Sequence, residues 1–256
     1  MGEVFEITLP RSWAELADQQ LLTVYHLFAR EISAAEVKTF CLMKWNKIQV
    51  ITQWAPHRYL VKRGRQQTIL TSKQIQTATA TLDFLDEIPN MPVRVSRIGR
   101  HSALPANFEE VPFEKYLYVE NLFQGFLYTQ DDTLLTQITQ ILYDSEKIKP
   151  TKAEQVNTFY WVVAMKQYFA TQFPHFFQPV DTLEKDGDLL KSTPSLYSRL
   201  RDATNAQIRA LTGGDITKEP TIMKMDTIRA LTELDAKAED SDYIRKSQSS
   251  NLKSPI

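Results

Sequence analysis

Apolar positions recur at helical intervals along most of this chain and switch to a period of two over one short stretch. From residue 13 to about 30, Trp13, Leu16, Leu21, Val24, Tyr25 and Phe28 mark one face of an amphipathic helix, and Ser12 with Glu15 is spaced as a capping box at its start. Ser33 and Glu36 repeat that signal, and Val37, Phe40, Cys41 and Trp45 carry the stripe of the next helix. After Lys47 the period changes. The segments IQVIT, RYLVKR and QQTIL read as short strands, the last two joined as a hairpin at Gly64. Thr71 or Ser72 then caps a helix whose apolar contacts, Ile75, Leu82, Phe84, Leu85 and Ile88, run up to the break Pro89-Asn90-Met91-Pro92. Residues 93–98 alternate valine with arginine over part of their length, which leaves a further strand open.

The second half is helical throughout. The densest apolar stretch, PFEKYLYVENLFQGFLY at 112–128, has aromatic or aliphatic residues on nearly every turn, as in a buried core helix. Pro112 suits its first position, and Gly125 marks a close approach of a neighbouring helix. A pocket lined by Tyr116, Tyr118 and Glu120 is the alternative reading of that helix. Asp131 caps a helix with Leu134, Leu135, Ile138 and Leu142, and Thr151 with Glu154 is a third capping box ahead of a long helix reaching Pro174. These three helices predict a bundle core. A loop at 178–191, a helix started by Thr193-Pro194 and ended by Gly213-Gly214, and a last helix from Thr217 to residue 240 complete the pattern. The expected fold is mainly α with a helical bundle core and a small β hairpin or sheet in the N-terminal third. Its lobes are a basic α+β lobe at 1–108 (helix, helix, hairpin, helix), a helical bundle at 109–240 and a disordered tail at 241–256.

Composition narrows the function classes. Seven glycines in 256 residues argue against a Gly-rich nucleotide-binding fold and against a turn-dense β-sandwich. One cysteine, Cys41, allows no internal disulfide, and its place on an apolar stripe makes it a structural thiol. The start MGEVFEITLP carries acids rather than a basic region and an apolar run, and no window reaches a membrane span, so a cytoplasmic setting, host cell interior or virion, is expected with no membrane contact. No nucleophile elbow, Walker loop, zinc-protease motif or cysteine pair is present, and His26, His57, His101 and His175 are scattered. The expectation is no enzyme, no catalytic residue, no metal and no cofactor.

Charge changes the picture more. Between Val37 and Phe108 eleven basic residues face three acids, so this segment carries +8 and the remainder −9 within a chain of net charge −1. A basic lobe attracts phosphates or an acidic surface. Two tightly joined helices followed by a basic hairpin suggest half of a winged-helix DNA binder. Lys38, Lys44 and Lys47 would then enter a groove, and Arg58, Lys62, Arg63 and Arg65 would lie on phosphates.

The run IRALTGGDITKEPTIMKMDTIRALTELDAKAEDSDYIRK, together with PFEKYLYVENLFQGFLYTQ, resembles uncharacterised proteins from phage or prophage structural-gene regions. That resemblance implies a non-enzymatic accessory or structural protein, such as a tail-assembly factor, working by helix-mediated protein contacts. The closing helix is the candidate partner-binding element, its stripe Ile222, Met225, Ile228, Leu231 and Leu234 being either docked on the body or offered to another chain. Its rival is a nucleic-acid-binding protein that uses the basic lobe.

Overall fold

The computed structural model describes residues 6–30, 32–177 and 195–251. The chain is mainly α-helical, with a small three-stranded antiparallel sheet in its N-terminal third. It divides into two compact units, Met1–Ala103 with Lys147–Ala164, and Leu104–Glu146 with Met165–Ile256.

In the first unit a 3-10 turn, Trp13–Glu15, precedes α1 (Asp18–Phe28) and α2 (Ala34–Trp45). Strands β1 (Gln49–Ala55), β2 (Arg58–Arg63) and β3 (Gln66–Thr71) follow, then α3 (Ser72–Thr79), a 3-10 segment Ala80–Asp86 and the two-residue strands β4 (Arg97–Ile98) and β5 (His101–Ser102). The predicted capping box at Ser12 does not form. The Glu15 carboxylate accepts instead from the Arg11 amide at 2.8 Å, and the helix begins only at Asp18, with the Gln20 side chain accepting from Ala17 N at 2.9 Å. The cause is Trp13, whose indole N–H donates to the carbonyls of Phe84 (2.9 Å) and Glu87 (3.0 Å) while its ring joins Tyr25, Phe28, Phe84 and Tyr160. Burial of those rings outweighs one more helical turn. The box at Ser33 and Glu36 forms as read, and Thr71 caps α3.

Helix α6 (Lys152–Gln172) opens on the Thr151 and Glu154 box. Its part up to Ala164 belongs to this first unit, where the sequence boundary at 108 placed the whole helix elsewhere. Ala153, Val156 and Tyr160 pack in the N-terminal core, and the Asn157 side chain accepts from the buried Val95 amide at 2.9 Å.

The second unit holds α4 (Phe113–Thr129), α5 (Asp132–Leu142), the rest of α6, α7 (Leu196–Thr212), α8 (Glu219–Met223) and α9 (Thr227–Asn251). Pro112 is the residue before α4 rather than its first, and Asp131 caps α5 through Thr133 N at 2.9 Å. A Cβ added at Gly125 would meet Leu134 Cδ1 at 3.3 Å, which is the close approach that glycine predicts. Phe113, Tyr116, Phe123 and Phe169 form the core, while Tyr118, Leu127 and Tyr128 stay exposed. The predicted last helix is two helices. Asp215 caps a 3-10 turn, Ile216–Lys218, and the chain turns again before α9, where Val111 O accepts both Thr227 N (2.9 Å) and Thr227 Oγ1 (2.7 Å). Helix α9 runs on to Asn251, through the first part of the stretch read as a tail. The loop at 178–191, the Thr193-Pro194 start and residues 252–256 lie outside the described residues.

Candidate nucleic-acid interface

Strand order β1-β2-β3 leaves the sheet with two edges and two faces. Pairing of β2 with β3 puts Tyr59 opposite Leu70 and Val61 opposite Thr68, while Leu60 pairs with Ile69 and Lys62 with Gln67. Alternation then sorts the faces. Val61 and Leu70 are buried with Ile48, and Met43 of α2, Tyr59 and Ile75 of α3 pack against them, so this face is covered by the two helices. The other face is open. It carries three cross-strand rows, Gln49, Lys62 and Gln67 at one end, Thr52, Leu60 and Ile69 in the middle, and Ala55, Arg58 and Thr71 at the other end. Two cations therefore flank an aliphatic centre. Neither the Arg58 nor the Lys62 side chain has a hydrogen-bond or ion-pair partner among the described residues.

Strand β1 is irregular. Its register shifts between Val50 and Thr52 and again between Gln53 and Ala55, so Ile51 and Trp54 sit in bulges. Its apolar side chains are poorly covered, with Val50 exposed to 54%, Ile51 to 44% and Trp54 to 63%. Across the whole span from residue 37 to 82 there are eight Lys and Arg and no Asp or Glu. No acid within this span of sequence offsets its charge.

The predicted basic residues separate into groups. Lys38 is buried in α2 and bonded to Asp83 (2.6 Å) and Asp86 (2.5 Å), so it faces no ligand. Burial by itself would lower the Lys38 pKa, but the hydrogen bonds and charges of the two carboxylates outweigh it and raise it. That removes Lys38 from the residues expected in a groove, while the sheet has the three strands that the sequence read, with the last two joined at Gly64. Lys44 is exposed and lies 5.9 Å from the Phe40 ring centre, and Lys47 is exposed in a left-handed turn with φ 55°. Arg63 is half-buried and donates to Glu6 O at 2.8 Å, whereas Arg65 stands exposed next to Gly64, whose φ of 61° makes the hairpin turn. Arg58 and Lys62 thus hold the open face, with Arg65 at its tip. Trp54, Leu60 and Ile69 were not singled out by sequence. The available signal was an indole in a strand next to a basic hairpin.

The stripe assigned to partner binding lies elsewhere and largely inward. Ile222, Leu231 and Leu234 are buried, and Met225 and Ile228 are half-buried, in the second unit. It closes its own bundle.

Each unit has a cavity among its described residues. One of about 380 Å³ is bordered by Phe28, Arg30, Lys38, Asp86 and Tyr160, but its ammonium is already held by two carboxylates. Another, of about 550 Å³, runs between α4 and α5 along Tyr118, Leu122 and Ile141, with the Lys115–Asp144 ion pair of 2.6 Å at its side. Cys41 is buried, and burial pushes its thiol up to about 12 against a smaller opposing effect of Lys44. Among the described residues no group of three or more His, Cys, Asp or Glu is placed to hold a metal ion, and no helix is long and apolar enough to cross a membrane. Compared with family models, curated proteins and solved structures, the chain matches none.

Proposed function

We propose that this chain is a non-enzymatic accessory protein of phage-like type that works by binding nucleic acid on the open face of its N-terminal sheet. One observation carries the reading: the Arg58 and Lys62 side chains have no partner among the described residues on that face, inside a span of the chain that contains no acidic residue. Phosphate attraction needs an uncompensated cation, and here the competing carboxylates are missing from the neighbouring sequence. The resemblance to phage structural-region proteins implies an accessory role by protein contact, and of the closing-helix stripe named for it Ile222, Leu231 and Leu234 are buried while Met225 and Ile228 are half-buried.

Anisotropy of a labelled oligonucleotide titrated with protein at several salt concentrations tests this. Binding should weaken with salt, and Arg58→Glu with Lys62→Glu should abolish it or cut the slope of log affinity against log salt by about 1.4 to 1.8, the share of two neutralised phosphates. Salt-independent binding, or a double variant equal to wild type, would sink the proposal. Both side chains are exposed, so the fold is retained.

A further inference from the structure

Resting on that reading of the sheet, we infer that its ligand is a single strand, with Trp54 as the platform on which a base stacks. Two observations point away from a duplex. A duplex groove is read by an inserted helix or a two-stranded ribbon. The helix that could enter, α2, has Lys38 turned into the protein and locked by two carboxylates, which leaves only Lys44 and Lys47 at its far end. The ribbon has a third strand: β1 flanks the β2–β3 hairpin from Arg58 to Lys62, and at about 4.8 Å between strands the outer two stand about 10 Å apart before their own width is added. The ribbon that a major groove of about 12 Å is known to admit has two strands.

The remaining geometry suits unpaired bases. Trp54 lies in the second bulge, next to Ala55, the partner of Arg58, and is 63% exposed, whereas Trp13 and Trp161 are buried and Trp45 is half-buried. Bulges re-aim side chains and also interrupt the edge ladder, so β1 is poorly suited to adding a strand from another protein. What it offers is an exposed indole one residue from Ala55, in the row of Arg58 at one end of the open face. The cations at either end, four residues apart along β2 and so about 13 Å, track a backbone across that platform. Aromatic stacking with cationic tracking is how single strands are held without sequence preference.

The test compares labelled oligo(dT) of about 20 nucleotides with a blunt duplex of the same length, using anisotropy and tryptophan emission. Oligo(dT) should bind about tenfold or more tighter than the duplex and quench emission. Trp54→Ala should lose about tenfold or more of the oligo(dT) affinity together with most of the quench, and Trp54→Phe should recover much of the affinity. A duplex that binds as well as oligo(dT), or a Trp54→Ala protein unchanged toward both, overturns the single-strand inference while the phosphate reading stands. Binding of neither overturns both. Displacement of oligo(dT) by poly-glutamate at equal charge would make an acidic protein surface the better ligand and overturn the inference.

Discussion

At the residue scale, position in the core decides what a reactive group can do. Cys41 has the composition of a candidate nucleophile and the surroundings of a filler. With its thiol pushed up to about 12, the thiolate is a minute fraction near neutrality, and the side chain has no exposed surface. Iodoacetamide at about pH 8 should therefore modify the folded protein about a thousandfold or more slowly than the urea-unfolded chain, in which a thiol near its ordinary value of about 8.5 is partly ionised. The folded state also holds that proton more tightly than the unfolded chain does. Its contribution to stability is thus intact below the unfolded value and declines as pH rises above it. Fast alkylation of the native protein would mean that Cys41 is reached by local opening. Lys38 teaches the same lesson from the opposite charge: a lysine on a basic segment reads as surface, yet its stem is buried and its ammonium spans Asp83 and Asp86 from a distant 3-10 segment.

At the element scale, local signals held wherever the tertiary structure made no competing demand. The boxes at Ser33, Thr71 and Thr151 form, as does the Asp131 cap, and the hairpin turns at Gly64. The box at Ser12 fails because Trp13 is drawn into contact with two carbonyls more than 70 residues away. This contrast is measurable. Thr151→Ala removes a hydroxyl that bonds Glu154 Oε2 at 2.8 Å and should cost about 1 kcal/mol in urea unfolding. Ser12→Ala removes no cap bond and should stay within about 0.5 kcal/mol. Equal losses at both sites would mean that Ser12 caps after all. Periodicity also merged α8 and α9 into one helix, since the stripe from Ile222 to Leu234 continues through a turn that only the bonds from Thr227 and Phe113 to the facing backbone define.

At the scale of the whole chain, the closing helix changes its role. A free partner-binding helix could be removed without harm to the body. Helix α9 instead contributes fully buried Thr227, Ala230 and Leu231 to the second unit, and Phe113 N at the head of α4 donates to Met225 O at 2.8 Å. Truncation after Gly214 should expose that core, with a loss on the order of 2–5 kcal/mol for each large buried side chain removed. Near-ultraviolet circular dichroism and dye binding would report it as lost aromatic packing and a newly exposed apolar surface. A truncated protein with native spectra would restore the dispensable helix.

The sequence by itself determined the helical class, the strands and their hairpin, the buried character of 112–128 and the concentration of positive charge before residue 108, because periodicity, caps, turn residues and net charge act over a few neighbours. Only the tertiary structure decided which cations remain free, which apolar stripe is closed and where Trp54 stands. It also decided that the first half of α6 completes the N-terminal core. Those outcomes depend on contacts between segments far apart in the chain, where a carboxylate, a carbonyl or a ring from elsewhere outbids what the local pattern prefers.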